Sequence, residues 1–579
     1  MKKIVIYIFF IFSYLNFTGC SNFLEEDNKG GIENDEFYST TTGYQTLITS
    51  TYSVLRELYK ETPILELDGT DLYLKGYGVS SNYADYNFEA NADECESLYE
   101  RCYKGIQYAN AGLYYIDLPD MSDGDKIVAQ AELRFLRAFY HFLILEQMGG
   151  IVINTEFTDV VRLNMPRSSL QDSYDFIISE MEAVLPDLKT AALALSGQVN
   201  QDVANHYLAK VYLTKGWDIG SDADFTKAIT YADAVIASKG GIQLSFADVW
   251  DPTNENNQEV IFSVQFSSIS GAIADPNTDG NNQCTLYATY SGGSSGTTIL
   301  RKQTSQGYLP THAVYMNLTP NDARYQTTFM PFLLNNYYNY YTESTWANES
   351  VRMYFPRVYS DNVNFTSADT AAWEAELAAQ GLTPASNIYI YPITNNETHY
   401  LEQVYGQVAG VSNKDERLPV VRKFDDLENT SGTVVYRTAS MRDIVLARLA
   451  ETYFLKAEAL IALGSYDDAA NVVQIVINRP GNKVDAAGAN LPNQLIGQTT
   501  EQGALEAYLI ESGLEQFGEF NGRWQLLRRT GMLRYMLQKY NTDYNGTVNI
   551  DAKYDWRPIP EDAIILNDGL TEADQNPGY

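Results

Sequence analysis

Two stretches of this chain share one pattern, and that pattern restricts the fold more than any other feature. Ala450, Tyr453, Phe454, Ala457 and Ala459 recur at helical spacing and lead into Gly464-Ser465-Tyr466-Asp467-Asp468-Ala469. Earlier, Ala209, Tyr212 and Leu213 lead into Asp224-Phe225, then Ala228 and Ala232. Small residues on one helix face admit a second helix at close range. A turn then reverses the chain, and an aromatic fills the space between helices. Ordinary helical hairpins would explain each copy alone. With 45% hydrophobic residues in 579, the chain can bury a large core.

The pattern resembles the tetratricopeptide helix pair, but the copies lie too far apart for a tandem array. Periodicity predicts further helices over Tyr44–Leu58, Ser97–Tyr115, Ile127–Met148, Leu170–Leu188, Gln201–Lys215 and Phe225–Lys239. Gly149-Gly150 should end the third, and Ser168-Ser169 can cap the fourth. Late helices are expected at Asp443–Leu463, Tyr466–Ile477, Leu505–Phe517 and Trp524–Gln538. Between them the texture changes. One short strand is expected at Glu259–Gln265, and Gly-, Ser-, Asn- and Tyr-rich sequence follows. That much irregular chain is too long for a simple connection. The expected fold is mainly α: a helical-pair scaffold over 44–250 and 441–579, with a loop-rich lobe with short strands inserted at 251–440.

The chain opens Met1-Lys2-Lys3, runs apolar from Ile4 to Leu15, and reaches Phe17-Thr18-Gly19-Cys20. A basic start, a short apolar run and small residues before a cysteine make a lipoprotein signal over 1–19, with Cys20 as the lipidated residue. About a dozen apolar residues cannot span a bilayer. Residues 20–43 then form a tether and entry segment, acidic at Glu25-Glu26-Asp27. The net charge of −34 excludes nucleic acid as a partner, because phosphate binding needs basic patches. Cys95 and Cys102 stand seven apart on an expected helix, about 10.5 Å, beyond disulfide reach. The four histidines are scattered and show no metal-ligand spacing, so neither a metal nor a cofactor is expected.

Catalytic motifs fail on context. Gly292-Gly293-Ser294-Ser295-Gly296 matches the nucleophile elbow, but no alternating strand–helix pattern supports it. Asp275 to Gly280 matches half a calcium loop, yet Leu286 stands where the bidentate Glu belongs. Glu451 and Glu458 lie two turns apart on one helix and read better as packing or salt-bridge residues, with Arg448–Glu451 one such pair. Tyrosine is the outstanding compositional signal, at 44 residues beside 24 Phe and 6 Trp. Its flat face and polar tip suit half-wet binding surfaces.

These features together resemble the SusD/RagB family of outer-membrane nutrient-binding lipoproteins. Cys20-Ser21-Asn22-Phe23-Leu24 matches its start, Ala131 to Tyr140 its Phe-Leu-Arg-Ala helix, and Arg448 to Ala459 its signature helix. Met165 to Ser169, Gly522-Arg523-Trp524, Pro558-Ile559-Pro560 and Gln575 to Tyr579 follow in order. Glu511-Ser512 and the short Asn478-Arg479-Pro480-Gly481 segment depart from the pattern. The resemblance implies a surface protein that captures an oligosaccharide, or in some members a peptide. It implies delivery to a SusC-type TonB-dependent transporter, with no catalysis. A surface glycoside hydrolase is the competing class. The expected ligand site lies where two loop regions meet, at Asp68, Asp71, Tyr83 and Tyr86 from the first and Trp346, Arg352, Tyr354 and Tyr389 from the second.

Overall fold

The computed structural model describes residues 34–579 except 62, 76–80, 159, 161, 194–196, 267–279, 288–300, 303–307, 320, 406–416, 428–435, 438–439, 483–490 and 542–549. Cys20 with the tether up to residue 33, Asp275 to Asp279 and the Gly292–Gly296 motif lie outside the described residues.

Six long helices build the first half: α1 (Thr41–Tyr59), α2 (Asp93–Tyr115), α3 (Asp123–Met148), α4 (Leu170–Val184), α5 (Gln201–Lys215) and α6 (Asp222–Lys239). Their starts are written in the sequence. The side chains of Thr40, Ser122, Ser169, Asn200 and Ser221 accept first-turn backbone N–H groups that the helix cannot satisfy itself. Gly149, at φ +79°, closes α3. Each helix packs on the next in sequence. Gly105 sets the spacing of α2 and α3, since a Cβ there would lie 2.5 Å from the Tyr140 ring.

The lobe holds short strands of few residues. β1 (Tyr73–Lys75) comes from the scaffold side and pairs with β3 (Tyr308–Pro310), while β2 (Val260–Val264) opens the lobe. A mixed sheet of β4 (Phe332–Leu334), β5 (Ser350–Tyr354) and β6 (Thr383–Ile390) forms its centre, with β5 in the middle. Helix α7 (Ser367–Ala379) packs against β6. Small hydrophobic clusters around Met353 and Phe332 stabilise this sheet apart from the main core.

β7 (Ile444–Arg448) then pairs antiparallel with β2, and α8 (Leu449–Ala462), α9 (Tyr466–Ile477), α10 (Glu501–Glu515), α11 (Arg523–Arg529) and α12 (Leu533–Tyr540) complete the scaffold. Helix α8 packs on α5, α6, α9 and α10, so the two recurring pairs of the sequence stack directly on each other. This explains why both are rich in alanine: Ala228, Ala232, Ala450 and Ala457 are fully buried.

Two helices differ from expectation. Asp443–Leu463 starts as a strand, because Ile444 and Val445 pair with Val264 and Ser263. Trp524–Gln538 is two helices, α11 and α12. Gly531 at φ +68° and the Met532 N–H on the Leu527 carbonyl close the first. Among the described residues no helix is long and apolar enough to cross a membrane.

Candidate functional site

The lobe sheet presents the chain's most site-like surface. Leu333 pairs with Met353 and Leu334 with Val351, which leaves Arg352 as an extra residue in the central strand. On the other side Val351 pairs with Pro384 and Met353 with Tyr389, so four residues of β6, 385–388, stand there against Arg352 alone. Such a bulge re-aims a side chain. The half-buried Arg352 makes no hydrogen bond or ion pair with any described residue, so its guanidinium is free to meet a ligand.

Beside it runs a ladder of rings. Phe355, fully buried, stacks on Tyr391 at 6.2 Å, and Tyr391 stacks on Tyr389 at 6.3 Å with planes 3° apart. Tyr389 is 46% exposed at the outer end. Residues 389 and 391 share a face because side chains alternate along an extended chain. Sequence reasoning named Tyr389 and passed over Tyr391 and Phe355. The Tyr-Ile-Tyr alternation was the available signal.

Trp346 is half-buried at the edge of this sheet, edge-on to Phe332 at 5.4 Å. Its indole N–H donates to the Asn339 and Tyr340 carbonyls, which leaves only ring surface for a ligand. Tyr354 is buried, 6% exposed, under the face covered by α7 and Leu377.

The first loop region lies inside the protein, which corrects the expected location of four residues. The Tyr83 ring lies under the Arg557 guanidinium at 4.5 Å and stacks on Phe88, while the Tyr86 hydroxyl donates to the Gly69 carbonyl. Asp71 is bound by Arg523 through two hydrogen bonds of 2.8 and 2.6 Å. Asp68 accepts from the Tyr308 hydroxyl, and burial pushes its carboxyl up to about 6 against the pull of Ser81 and Tyr308. All four side chains are at most 5% exposed, and with Tyr354 they serve packing in this structure. Sequence could not separate them from Tyr389, since tyrosine suits core and surface alike.

The carboxylate pair on α8 is also internal. Glu458 accepts two hydrogen bonds from Arg529, one from Tyr508 and one from Trp217, all within 2.9 Å. Glu451 faces Lys210 at 3.2 Å. Burial alone would raise its carboxyl, but Lys210 and His206 hold it at about 2. Both are buried, Glu451 at 5% and Glu458 at 0% exposure. Arg448 does not pair with Glu451. As the last residue of β7 it points to the end of α10, where it meets Glu515 at 2.9 Å, and to Glu519 just after that helix at 2.6 Å. Among the described residues no cluster of His, Cys, Asp and Glu could hold a metal, and Cys95, Cys102 and Cys284 are buried and form no disulfide.

A helical-pair scaffold with an inserted aromatic lobe matches known proteins along its length. The profile of the SusD family covers residues 258–579, and a second, described as starch-binding associating with outer membrane, covers 22–213. The chain belongs to the SusD family. A SusD-like protein of Formosa agariphila is 22% identical over 610 aligned positions, covering 100% of this chain and 99% of that one. A SusD homolog from Bacteroides thetaiotaomicron shares the fold with a TM-score of 0.67 at 17% identity, over 95% of this chain and all of the other. A laminarin binding SusD-like protein superposes with a TM-score of 0.63 at 19% identity, over 93% of this chain and all of that one.

Proposed function

We propose that this protein captures an oligosaccharide at the cell surface and passes it to a partner TonB-dependent transporter of the SusC type. The observation that carries the reading is the exposed end of the Phe355–Tyr391–Tyr389 ladder beside the unpaired Arg352. A flat ring offers a face to the C–H patches of a sugar, and a free guanidinium offers several donors to hydroxyl oxygens. Trp346 packs with Phe332, Tyr354 and Leu377, in a different cluster from Phe355 and Tyr391, and is not part of this site. Family membership supports the reading, as do the starch binding that describes the second profile and the laminarin binding of one structural relative. In this proposal Cys20 carries lipid, holds the body on the outer membrane and leaves it facing outward. The lobe over 251–440 is the ligand-binding unit, and no reaction is catalysed.

Calorimetry of the full-length protein against a polysaccharide panel tests the site. Tyr389→Ala should weaken the bound glycan by about 2 kcal/mol, as for a central aromatic anchor. Arg352→Ala should weaken it as well. Unchanged affinity in both folded variants would place the site elsewhere. Release of reducing sugar from any bound glycan would overturn the non-catalytic assignment. Failure to copurify with the co-expressed transporter in mild detergent would remove the delivery step.

A further inference from the structure

A cavity of about 540 Å³ lies in the scaffold where the end of α1, the short helix Ile64–Leu67, the first turns of α2, the end of α3 and α11 converge. None of its lining residues comes from the lobe sheet. Its volume falls within the range of small-molecule sites. Its walls are half apolar, with Tyr59, Ile64, Leu98 and Leu143 among them.

Two of the polar groups that line it are short of donors. Gln525 is 6% exposed, and its Oε1 has no hydrogen-bond partner. A buried acceptor left in this state costs about 1–3 kcal/mol unless something donates to it. Next to it, the carboxylate of Glu66 takes one hydrogen bond from a described residue, the Gly522 N–H at 3.1 Å. Glu61, Asp93 and Glu94 also line the cavity, and Arg101 is the one lining cation, itself 3.6 Å from Glu61. With Glu66 ionised, four carboxylates face one guanidinium. The occupant that completes this set must donate hydrogen bonds, carry positive charge and present an apolar stem.

We infer that this cavity is a second ligand site, apart from the lobe sheet, which takes a small organic cation: a primary ammonium on an apolar body, held by Glu66 and Gln525. The inference does not depend on the lobe's glycan reading. The electrostatics agree with it. Burial pushes the Glu66 carboxyl up to about 7. Lys210 on α5 and the Gly522 N–H pull it down, while Glu146 on α3 and Glu451 on α8 push it up. A bound cation would draw the proton off, so binding should tighten as pH rises from 6 to 8.

The test uses full-length protein in a non-ionic detergent and two probes of one shape, phenethylamine and 2-phenylethanol, by calorimetry. Phenethylamine should bind at least tenfold more tightly, and the preference should grow between pH 6 and 8. Glu66→Gln should abolish the preference, and Gln525→Leu should reduce it, with a thermal melt of each variant checking the fold. If Glu66→Gln does not fold, the pH profile of the natural protein and Glu94→Gln decide. Equal binding of both probes, binding of neither, or a preference that survives in folded Glu66→Gln overturns the site.

Discussion

Glu515 is the residue whose replacement should reveal most about how the lobe is held. It is fully buried on α10. Its Oε1 accepts from Arg448 at 2.9 Å and Arg479 at 2.6 Å, and its Oε2 from Arg324 at 3.3 Å. Those three arginines come from the end of β7, the chain after α9 and the lobe. Burial alone would raise this carboxyl, but Arg479, Arg448 and Arg324 outweigh it and hold the group at about 2 against the usual 4.5. The difference corresponds to about 3 kcal/mol of folding stability. Because the folded value is depressed, that stability is present above about pH 4.5 and is lost as pH falls toward 2. Glu515→Gln should therefore cost about 3 kcal/mol at pH 7, in line with breaking a buried ion pair. Over the whole chain the unfolding entropy is roughly 1.2 kcal/mol/K, which makes the expected drop in Tm about 3 °C. At pH 3 the natural protein has already lost part of this term, and the penalty should shrink to roughly 1 kcal/mol. Differential scanning calorimetry of both proteins at the two pH values measures this. A loss below about 1 kcal/mol at pH 7, or a penalty that does not shrink at pH 3, would refute the electrostatic account.

Three further outcomes are expected. Cys20→Ala should abolish fatty-acid labelling and release the protein from membranes, and an unlabelled natural protein would end the lipoprotein reading. Gly518 sits at φ +80° with space for no Cβ, since one would lie 2.5 Å from the Phe424 ring. Gly518→Ala should cost about 1–3 kcal/mol in urea unfolding, and a neutral result would mean the turn relaxes freely. Phe139 is fully buried against Phe135, Tyr207 and Phe262. Phe139→Ala should cost about 3–5 kcal/mol by the same assay, less than 1 counting against tight packing there.

The scaffold was legible because its signals are local. The cap at Ser169 and the three-four spacing along α3 depend on neighbours a turn away. The strand β7 was not legible, because Ile444 to Arg448 is an apolar run whose partner β2 lies about 180 residues earlier. Mistaking it for helix turned Arg448 toward Glu451 on paper, whereas the extended backbone delivers it to Glu515. The ligand face was legible only in part. Arg352 and Tyr389 are expected from their place in the loop-rich lobe and from the family resemblance, but the bulge that frees the one and the stack that supports the other arise from strand register. Asp68, Asp71, Tyr83 and Tyr86 have the same chemistry and lie inside, a difference set by tertiary packing alone.

The clasp of β2 on β7 has a consequence for how such a protein can change. Val264 and Ile444 are direct partners, so the polypeptide leaves the scaffold and returns to it at one spot. Whatever is spliced between those points has its ends already joined. Lengthening a closed loop costs only about 0.6 kcal/mol per doubling. Replacement lobes of different size could therefore be grafted at this junction while α5, α6, α8 and α9 keep their stack. Specificity could drift by exchange of the insert, provided a replacement keeps the pairing of β3 with β1 and the Arg324–Glu515 contact that tie the lobe to the scaffold.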